Sequence, residues 1–252
     1  MSYERHRRQD SHQLTFTLLL ASLSILATAV VWRRTAAPRS ERRSARRMPR
    51  HGNAAAETSP PATNAGGDDR QHASSGAGAL IHRQYEITLR GAKRDAASLF
   101  RLMQAHITEL APAALADFVK SDGAVNVAVD DEYDITMLGP WNGRVRVSAV
   151  TPNSLTLVTL DGHPEAGTIT FSVHVGTAPG EQRVLIESWA RSRDTLVEAA
   201  YSTLGVGQQV QTEVWITFLQ RFSALAGVTK TPRVRITTEE ITDDDRTHQR
   251  GS

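Results

Sequence analysis

The chain has 252 residues, a net charge of +2 and no cysteine, which excludes disulfides, thiolate metal sites and a cysteine nucleophile. Residues 80–228 carry 12 basic and 16 acidic residues, whereas residues 1–79 carry 12 and 6, so the acidic central region disfavours nucleic-acid binding. Length and composition predict one folded domain of about 150 residues between polar segments.

A candidate membrane anchor follows a short N-terminal segment, residues 1–13. Residues 14–32 (LTFTLLLASLSILATAVVW) contain 19 residues without a charge, and such a helix is about 28 Å long, enough to cross a bilayer. Eight arginines follow within residues 33–50, which by the positive-inside rule predicts a single-pass inner-membrane protein with its domain in the cytoplasm. The alternative is a signal peptide cleaved after residues 27–29 (Ala-Thr-Ala) and an exported domain.

Residues 33–79 are interpreted as an arginine-rich flank followed by a disordered linker, because small and polar residues dominate the segment and cannot build a core. The flank fits a stop-transfer signal and also the recognition of anionic lipid headgroups. The lipid bilayer is therefore the predicted partner. The arginines expected at the membrane surface are Arg33, Arg34, Arg39, Arg42 and Arg43.

The predicted domain, residues 80–228, opens with a strand and an amphipathic helix. Apolar residues alternate over residues 82–89, which indicates a strand, and recur at a spacing near 3.6 over residues 94–110, which indicates a helix. Asp95 is a suitable N-cap and Pro112 ends the pattern. Residues 113–120 are interpreted as a further short helix, whereas residues 123–129 fit either a strand or an irregular segment.

Residues 131–175 predict an antiparallel meander of four strands. Apolar residues alternate with a period of two, so one face of each strand is buried. Turn chemistry separates the strands at residues 139–143 (GPWNG), 151–153 (TPN) and 161–164 (DGHP). A further strand is predicted at residues 182–190.

From residue 194 to residue 226 the apolar period becomes helical. Gly205 and Gly207 favour a kink or break, and Gly227 suits the position after the helix end. Residues 229–252 are charged and poor in apolar residues, so we interpret them as a disordered tail. The element order predicts an α+β fold in which a curved antiparallel sheet wraps around a C-terminal helix of about 30 residues.

Three segments carry a family resemblance. Residues 139–147 (GPWNGRVRV), 159–167 (TLDGHPEAG) and 186–192 (IESWARS) resemble the uncharacterised proteins of domain of unknown function family 1990. The element order is similar to that of the START-like and Bet v 1-like helix-grip (SRPBCC) superfamily, and the likeness spans residues 82–227. It implies a helix-grip fold and no established reaction. Many relatives have two acidic residues after the second glycine of the GHPEAG run, where this chain has Thr168 and Ile169.

The first function hypothesis is a binding module. If the last helix only partly fills the trough of the sheet, a cavity remains that suits an apolar or amphipathic small molecule, for example a lipid. For each lining residue the alternative is a filled core. The candidates are Tyr133, Met137, Trp141, Phe171, Trp189, Tyr201, Trp215 and Phe218.

The second hypothesis is an enzyme of the cyclase or hydrolase type, with His163 and Glu165 as an acid–base pair. The alternative for this cluster is structural, because Gly162 and Gly167 supply positive φ and His163 can cap backbone groups. The third hypothesis is an interaction scaffold with a filled core. Neither His106 nor His174 has a partner at metal-ligand spacing, and no nucleotide-binding or Gly-x-Ser-x-Gly motif occurs, so no metal or cofactor is predicted.

Overall fold

The computed structural model describes residues 38–48, 69–124, 126–137, 142–195 and 206–243, all within one compact unit. Three α-helices and nine strands occur in these residues, together with one turn of 3-10 helix at Ala73–Ser75. In chain order they are β1 (Arg39–Met48), β2 (Ala77–Arg90), α1 (Ala96–Ala105), α2 (Ile107–Leu110), β3 (Ala116–Lys120), β4 (Glu132–Met137), β5 (Gly143–Val150), β6 (Ser154–Thr159), β7 (Glu165–Val175), β8 (Glu181–Ser192), α3 (Val206–Leu225) and β9 (Val234–Asp243).

The strands form one large curved sheet in the order β1-β9-β2-β8-β7-β6-β5-β4-β3. Neighbouring strands from β9 to β3 pair antiparallel, and only the edge pair of β1 with β9 is parallel. The predicted α+β class and the antiparallel meander are therefore confirmed. Period-two alternation explains the burial, because successive side chains point to opposite faces of a strand.

One face of the sheet, called the inner face below, is covered by α3. Tyr85, Ile186, Phe171 and Leu155 lie opposite one another across β2, β8, β7 and β6, and all four are buried. The Phe171 ring lies 5.4 Å from that of Phe218 on α3. These contacts place the apolar core between the inner face and the helix.

Helix α3 buries a stripe that recurs every three or four residues: Trp215, Phe218 and Phe222. The helix ends where Gly227 adopts a φ of +79° and donates its N–H to Ala224 O, so the predicted role of this glycine is confirmed. The helix of about 30 residues predicted from residue 194 is described only over the 20 residues of α3, and residues 196–205 lie outside the described residues.

Two local predictions were wrong near the start of the domain. Residues 116–120 form strand β3 rather than a helix, because they pair with β4, and Phe118 lies opposite Ile135. The helix predicted over residues 94–110 is divided at His106, whose φ of −123° and ψ of 17° interrupt the helical path between α1 and α2. Asp95 caps α1 as expected, since its carboxylate accepts the N–H of Ser98 at 2.7 Å.

The flanks assigned to a disordered linker and a disordered tail also contain strands, so those assignments are wrong for β1, β9 and residues 69–79. Strand β9 alternates Val234 and Ile236 at buried positions, a short period-two pattern hidden by its charged neighbours. Strand β1 (RSERRSARRM) has almost no apolar side chain and is held by backbone pairing to β9 at the edge of the sheet. Composition alone therefore concealed both strands.

The predicted membrane anchor, residues 14–32, lies outside the described residues. Within the described part of the chain, the helices are too short or too polar to serve as a bilayer span. The anchor therefore stays a prediction.

Candidate ligand-binding site

A narrow, mostly apolar cavity lies between α3 and the inner face, beside the short helix α2. Its volume is about 10 Å³, which is room for roughly one water molecule, whereas small-molecule sites usually enclose about 300 Å³ or more. Phe171 and Phe218 fill the adjoining trough. The expected ligand-sized cavity is thus not open at this place. The lining residues are Ile107, Thr108, Phe118, Tyr133, Leu157, Phe171 and Trp215.

Two polar atoms of the residues that line this cavity have no hydrogen-bond partner in the described part of the chain. The hydroxyl of Tyr133 and the indole Nε1 of Trp215 are buried, and neither forms a hydrogen bond within the described residues. Burial raises the pKa of the Tyr133 phenol, so the hydroxyl keeps its proton at neutral pH and can donate. Each buried donor without a partner costs about 1–3 kcal/mol, so two of them on one small apolar cavity require an explanation.

The cavity is bordered by α2, which is tied to α3 by one arginine. Arg221 on α3 donates through Nη1 to Glu109 O at 3.0 Å and to Ala111 O at 2.7 Å. Both carbonyls lie at the C-terminal end of α2, where a helix leaves acceptors without intrahelical partners. A four-residue helix has little stability of its own, so these contacts hold the Ile107 and Thr108 side of the cavity in place.

A second feature of the inner face, called the Arg83 corner below, consists of Arg83, Ser188, Gln211 and Glu165. Arg83 is only 7% exposed, and its guanidinium donates through Nη1 to the Gln211 amide oxygen on α3. The Gln211 Nε2 donates in turn to Glu165 Oε2 at 2.9 Å. Arg83 forms no ion pair with the described carboxylates, so a buried cation is held by a neutral amide.

The Arg83 corner adjoins the aromatic core. Arg83 lies opposite Ser188 of β8, which is also 7% exposed, and it is followed two positions later by Tyr85 on the same face. The Tyr85 hydroxyl is 3.4 Å from Thr212 Oγ1, and burial raises the pKa of this phenol. Arg83 was not among the residues predicted from the sequence, although its phase with the apolar residues Tyr85, Ile87 and Leu89 was a readable signal.

The proposed acid–base pair of His163 and Glu165 does not form. The His163 ring is buried against Gly143, where an added Cβ would lie 2.2 Å from His163 Cδ2. Its Nδ1 contacts only the Glu165 backbone, either accepting the N–H at 3.0 Å or, in the other tautomer, donating to the carbonyl oxygen at 2.9 Å, whereas the Glu165 carboxylate is bonded to Gln211. Burial lowers the pKa of His163 and keeps the ring neutral. The structural alternative therefore describes this turn better than the catalytic hypothesis.

Gln71 is the main hydrogen-bonding partner of the turn at residues 159–167. Its Nε2 donates to His163 O and to Glu165 O, both at 2.9 Å, and its Oε1 accepts the N–H of Gly162 at 3.2 Å. Thr159 Oγ1 donates to the backbone oxygen of Gln71 at 2.9 Å. Gln71 falls in the segment predicted to be a disordered linker, and nothing in its polar sequence surroundings distinguishes it.

Trp189 was wrongly predicted to line the cavity. It lies on the outer face, where its ring stacks on His82 at 3.7 Å and 9°, because Trp189 lies opposite His82 in the pairing of β2 with β8. His82 Nε2 is 2.7 Å from Glu187 Oε1, and this hydrogen bond lowers the pKa of Glu187. Trp189 therefore points to the same face as the polar residues of β8, and its aromatic ring does not join the apolar core.

The remaining predicted site residues are dispersed. Met137 is half-buried at the end of β4 and does not line the narrow cavity, whereas Trp141, Tyr201, Arg33 and Arg34 lie outside the described residues.

The three described surface arginines lie on the edge strand β1. Arg39 pairs with Glu213 on α3, Arg43 pairs with Glu41 at 2.8 Å, and Arg42 is exposed. Two of these arginines are therefore already bonded to carboxylates.

Comparison with known proteins yields one family. The family described as Domain of unknown function (DUF1990) matches residues 96–217, and no curated protein matches the chain. Similar solved structures include the di-domain ARO/CYC StfQ from the steffimycin biosynthetic pathway, with 13% identity, a TM-score of 0.42, and coverage of 59% of this chain and 51% of that one.

Two further solved structures show a comparable degree of likeness. Norcoclaurine synthase from Thalictrum flavum has 14% identity and a TM-score of 0.40 over 69% of this chain and 99% of its own. Protein DR_A0006 from Deinococcus radiodurans has 14% identity and a TM-score of 0.37 over 57% and 95%. Structural similarity at these TM-scores says nothing about the function of this chain. Residues 96–217, just under half of the chain, are similar to the family of domains of unknown function DUF1990.

Proposed function

We propose that the domain binds an apolar or amphipathic small molecule between the sheet and α3, and that Tyr133 and Trp215 donate to one oxygen of this ligand. The observation that carries the proposal is the pair of buried donors without partners on one otherwise apolar cavity. An acceptor placed between them would remove the desolvation cost of both groups. A carbonyl or ether oxygen on an aliphatic or aromatic body has this chemistry.

Binding requires the cavity to widen, since about 10 Å³ does not accommodate such a molecule. The part best suited to move is α2, because it has four residues and a boundary at His106. Its two hydrogen bonds to Arg221 are the contacts that would break or stretch as α2 moves away from α3. In the ligand-bound state, α2 and α3 are therefore farther apart than in the present structure.

A second candidate is an interaction scaffold with a filled core, favoured by the small volume of the cavity and the complete burial of Phe171, Phe218 and Phe222. In that case Tyr133 and Trp215 are satisfied by a single water molecule, for which the cavity is just large enough. The two candidates differ in one respect: only a binding site takes up an organic ligand with saturation.

The test is calorimetric titration of the full-length protein with decan-2-one, an apolar chain that carries one acceptor oxygen. We expect saturable binding, and we expect Tyr133→Phe and Trp215→Phe each to weaken it about fivefold, the usual contribution of one neutral hydrogen bond. Trp189→Phe is the matched control, since Trp189 lies on the outer face. Absence of saturable binding, or equal affinity in all variants, would favour the scaffold.

Membrane anchoring through residues 14–32 remains part of the proposal. Its support is the uncharged run of 19 residues followed by eight arginines. Replacing Leu19 and Leu26 by arginine adds about 3 kcal/mol of insertion cost per residue, so the protein should move from the alkali-washed membrane pellet to the supernatant. An unchanged pellet fraction would argue against a transmembrane helix.

A further inference from the structure

Arg83 carries more hydrogen-bonding capacity than its surroundings use. A guanidinium has five N–H donors, and within the described residues only a donor on Nη1 is bonded, to Gln211. A buried charge is normally paired with an opposite charge, because desolvation is costly. The carboxylate of the corner, Glu165, reaches Arg83 only through the Gln211 amide. The remaining donors of a residue that is 93% buried are therefore available to an anion.

Ser188 adds a second donor at the same place. It lies directly opposite Arg83 in the pairing of β2 with β8, it is 7% exposed, and its hydroxyl has no hydrogen bond within the described part of the chain. Cross-strand neighbours of this kind have Cβ atoms about 5 Å apart, so one oxyanion can contact both side chains. Two side chains with unused donors thus lie opposite each other on the inner face.

We infer that Arg83 and Ser188 bind the carboxylate of the ligand, so that the ligand is an amphipathic acid; this inference rests on the proposed function. The planar guanidinium matches a planar carboxylate in a bidentate arrangement. Glu165 lies one side chain away and disfavours a dianion such as a phosphate monoester. The Arg83 corner therefore favours a ligand that carries a single negative charge.

The position of the corner fixes how such a ligand lies. Arg83 is one inward position before Tyr85, and Tyr85 lies in the same cross-strand row as Phe171, which lines the narrow cavity. On α3, Gln211 precedes Trp215 by one helical turn. A ligand with its carboxylate at Arg83 therefore directs its apolar body toward the cavity, where Tyr133 and Trp215 meet a second oxygen.

Three probes separate the two ends of the ligand: 9-oxodecanoate carries a carboxylate and a ketone, decan-2-one carries the ketone alone, and decanoate carries the carboxylate alone. We expect the full-length protein to bind 9-oxodecanoate about tenfold or more tightly than decan-2-one, the usual strength of a charged hydrogen bond. Arg83→Gln should reduce this ratio to about one. Arg101→Gln, which removes the same charge from the exposed face of α1, should leave the ratio unchanged.

The outcomes distinguish this inference from the function on which it rests. If decan-2-one binds with saturation but the affinity ratio is near one, the ligand is not an acid and the proposed binding function stands. The same conclusion follows if Arg83→Gln leaves the ratio unchanged. Absence of binding by all three probes overturns both. If Arg83→Gln does not fold, Arg83→Lys serves instead, because it keeps the charge but loses the bidentate geometry, and the ratio should fall at least threefold.

Discussion

The turn at residues 159–167 differs from the inner-face site, meaning the narrow cavity and the Arg83 corner, in how far its polar groups are hydrogen-bonded. In the turn, the buried ring of His163 and the carbonyls of His163 and Glu165 all have partners, supplied largely by Gln71. In the site, Tyr133, Trp215 and Arg83 keep donors that no described residue accepts. The turn has the more distinctive sequence, yet its bonding is that of a structural element, because satisfied groups have little capacity left for a ligand.

The comparison predicts opposite responses to substitution. Changes in the turn should cost stability, since each removes a bond or introduces a clash. Changes in the site should cost affinity and spare or raise stability, because an unpaired buried group destabilises the folded state until a ligand arrives.

The largest effect is expected at Gly167. A Cβ at this position would lie 2.0 Å from the backbone oxygen of Trp189, so Gly167→Ala must displace β8 or fail to fold. We expect a loss of about 3 kcal/mol or more in urea denaturation. The control is Gly180→Ala, which has a φ of +74° and open space around it, and it should cost only about 1 kcal/mol. Equal losses would show that the close approach at Gly167 is unimportant.

The second prediction concerns Gln71. Gln71→Ala removes three hydrogen bonds from backbone groups of the turn, and we expect a loss of about 2–4 kcal/mol. Gln104→Ala on α1 is the matched control and should change stability by less than about 0.5 kcal/mol. If both variants denature at the same urea concentration, the segment around Gln71 does not hold the turn.

The third prediction is a pH dependence from His163. Its pKa is lowered in the folded state by burial first of all; Glu165 opposes and Arg193 adds to this shift. The unfolded chain therefore binds a proton first as the pH falls below about 6.5, and folding stability then decreases with a slope of up to about 1.4 kcal/mol per pH unit.

His163→Asn keeps an acceptor for the Glu165 N–H and removes the titration. The wild type should lose more stability than this variant between pH 7 and pH 5.5, as followed by urea denaturation at each pH. Parallel stability curves would mean that the ring is accessible in the folded state, as an acid–base role requires.

The smallest expected effect on stability lies in the site. Tyr133→Phe removes a buried hydroxyl that has no partner in the described residues, so the free energy of unfolding should stay constant or rise by up to about 1 kcal/mol. Thermal denaturation without ligand measures it. A loss of about 1 kcal/mol or more would indicate that the hydroxyl is already bonded, and the contrast between turn and site would fail at this residue.

Sequence periodicity was sufficient to find the side chains that are apolar and in phase. Phe171, Trp215 and Phe218 meet between sheet and helix as expected, and Tyr133 joins Phe171 and Trp215 in lining the cavity, because period-two and 3.6-residue patterns report directly on burial. Trp189 was also predicted to line the cavity, although its phase along β8 points outward.

The features that were missed depend on pairing rather than on apolar content. Strand β1 is held by backbone bonds to β9, which local composition does not encode. Arg83 could have been found, since a charged residue in phase with Tyr85, Ile87 and Leu89 breaks the apolar pattern of the strand. The hydrogen bond of Arg83 to Gln211 could not have been found from the sequence, because that contact joins residues 128 positions apart.

The most direct test of the central claim is the NMR signal of the Trp215 indole N–H, assigned by its absence in Trp215→Phe, during titration with decan-2-one. Hydrogen bonding of the ketone to Nε1 predicts a saturable downfield shift of this one signal, with the indole of Trp189 as an internal reference that does not move. A Trp215 signal that stays in place while decan-2-one is added in excess would contradict the claim that this donor awaits a ligand.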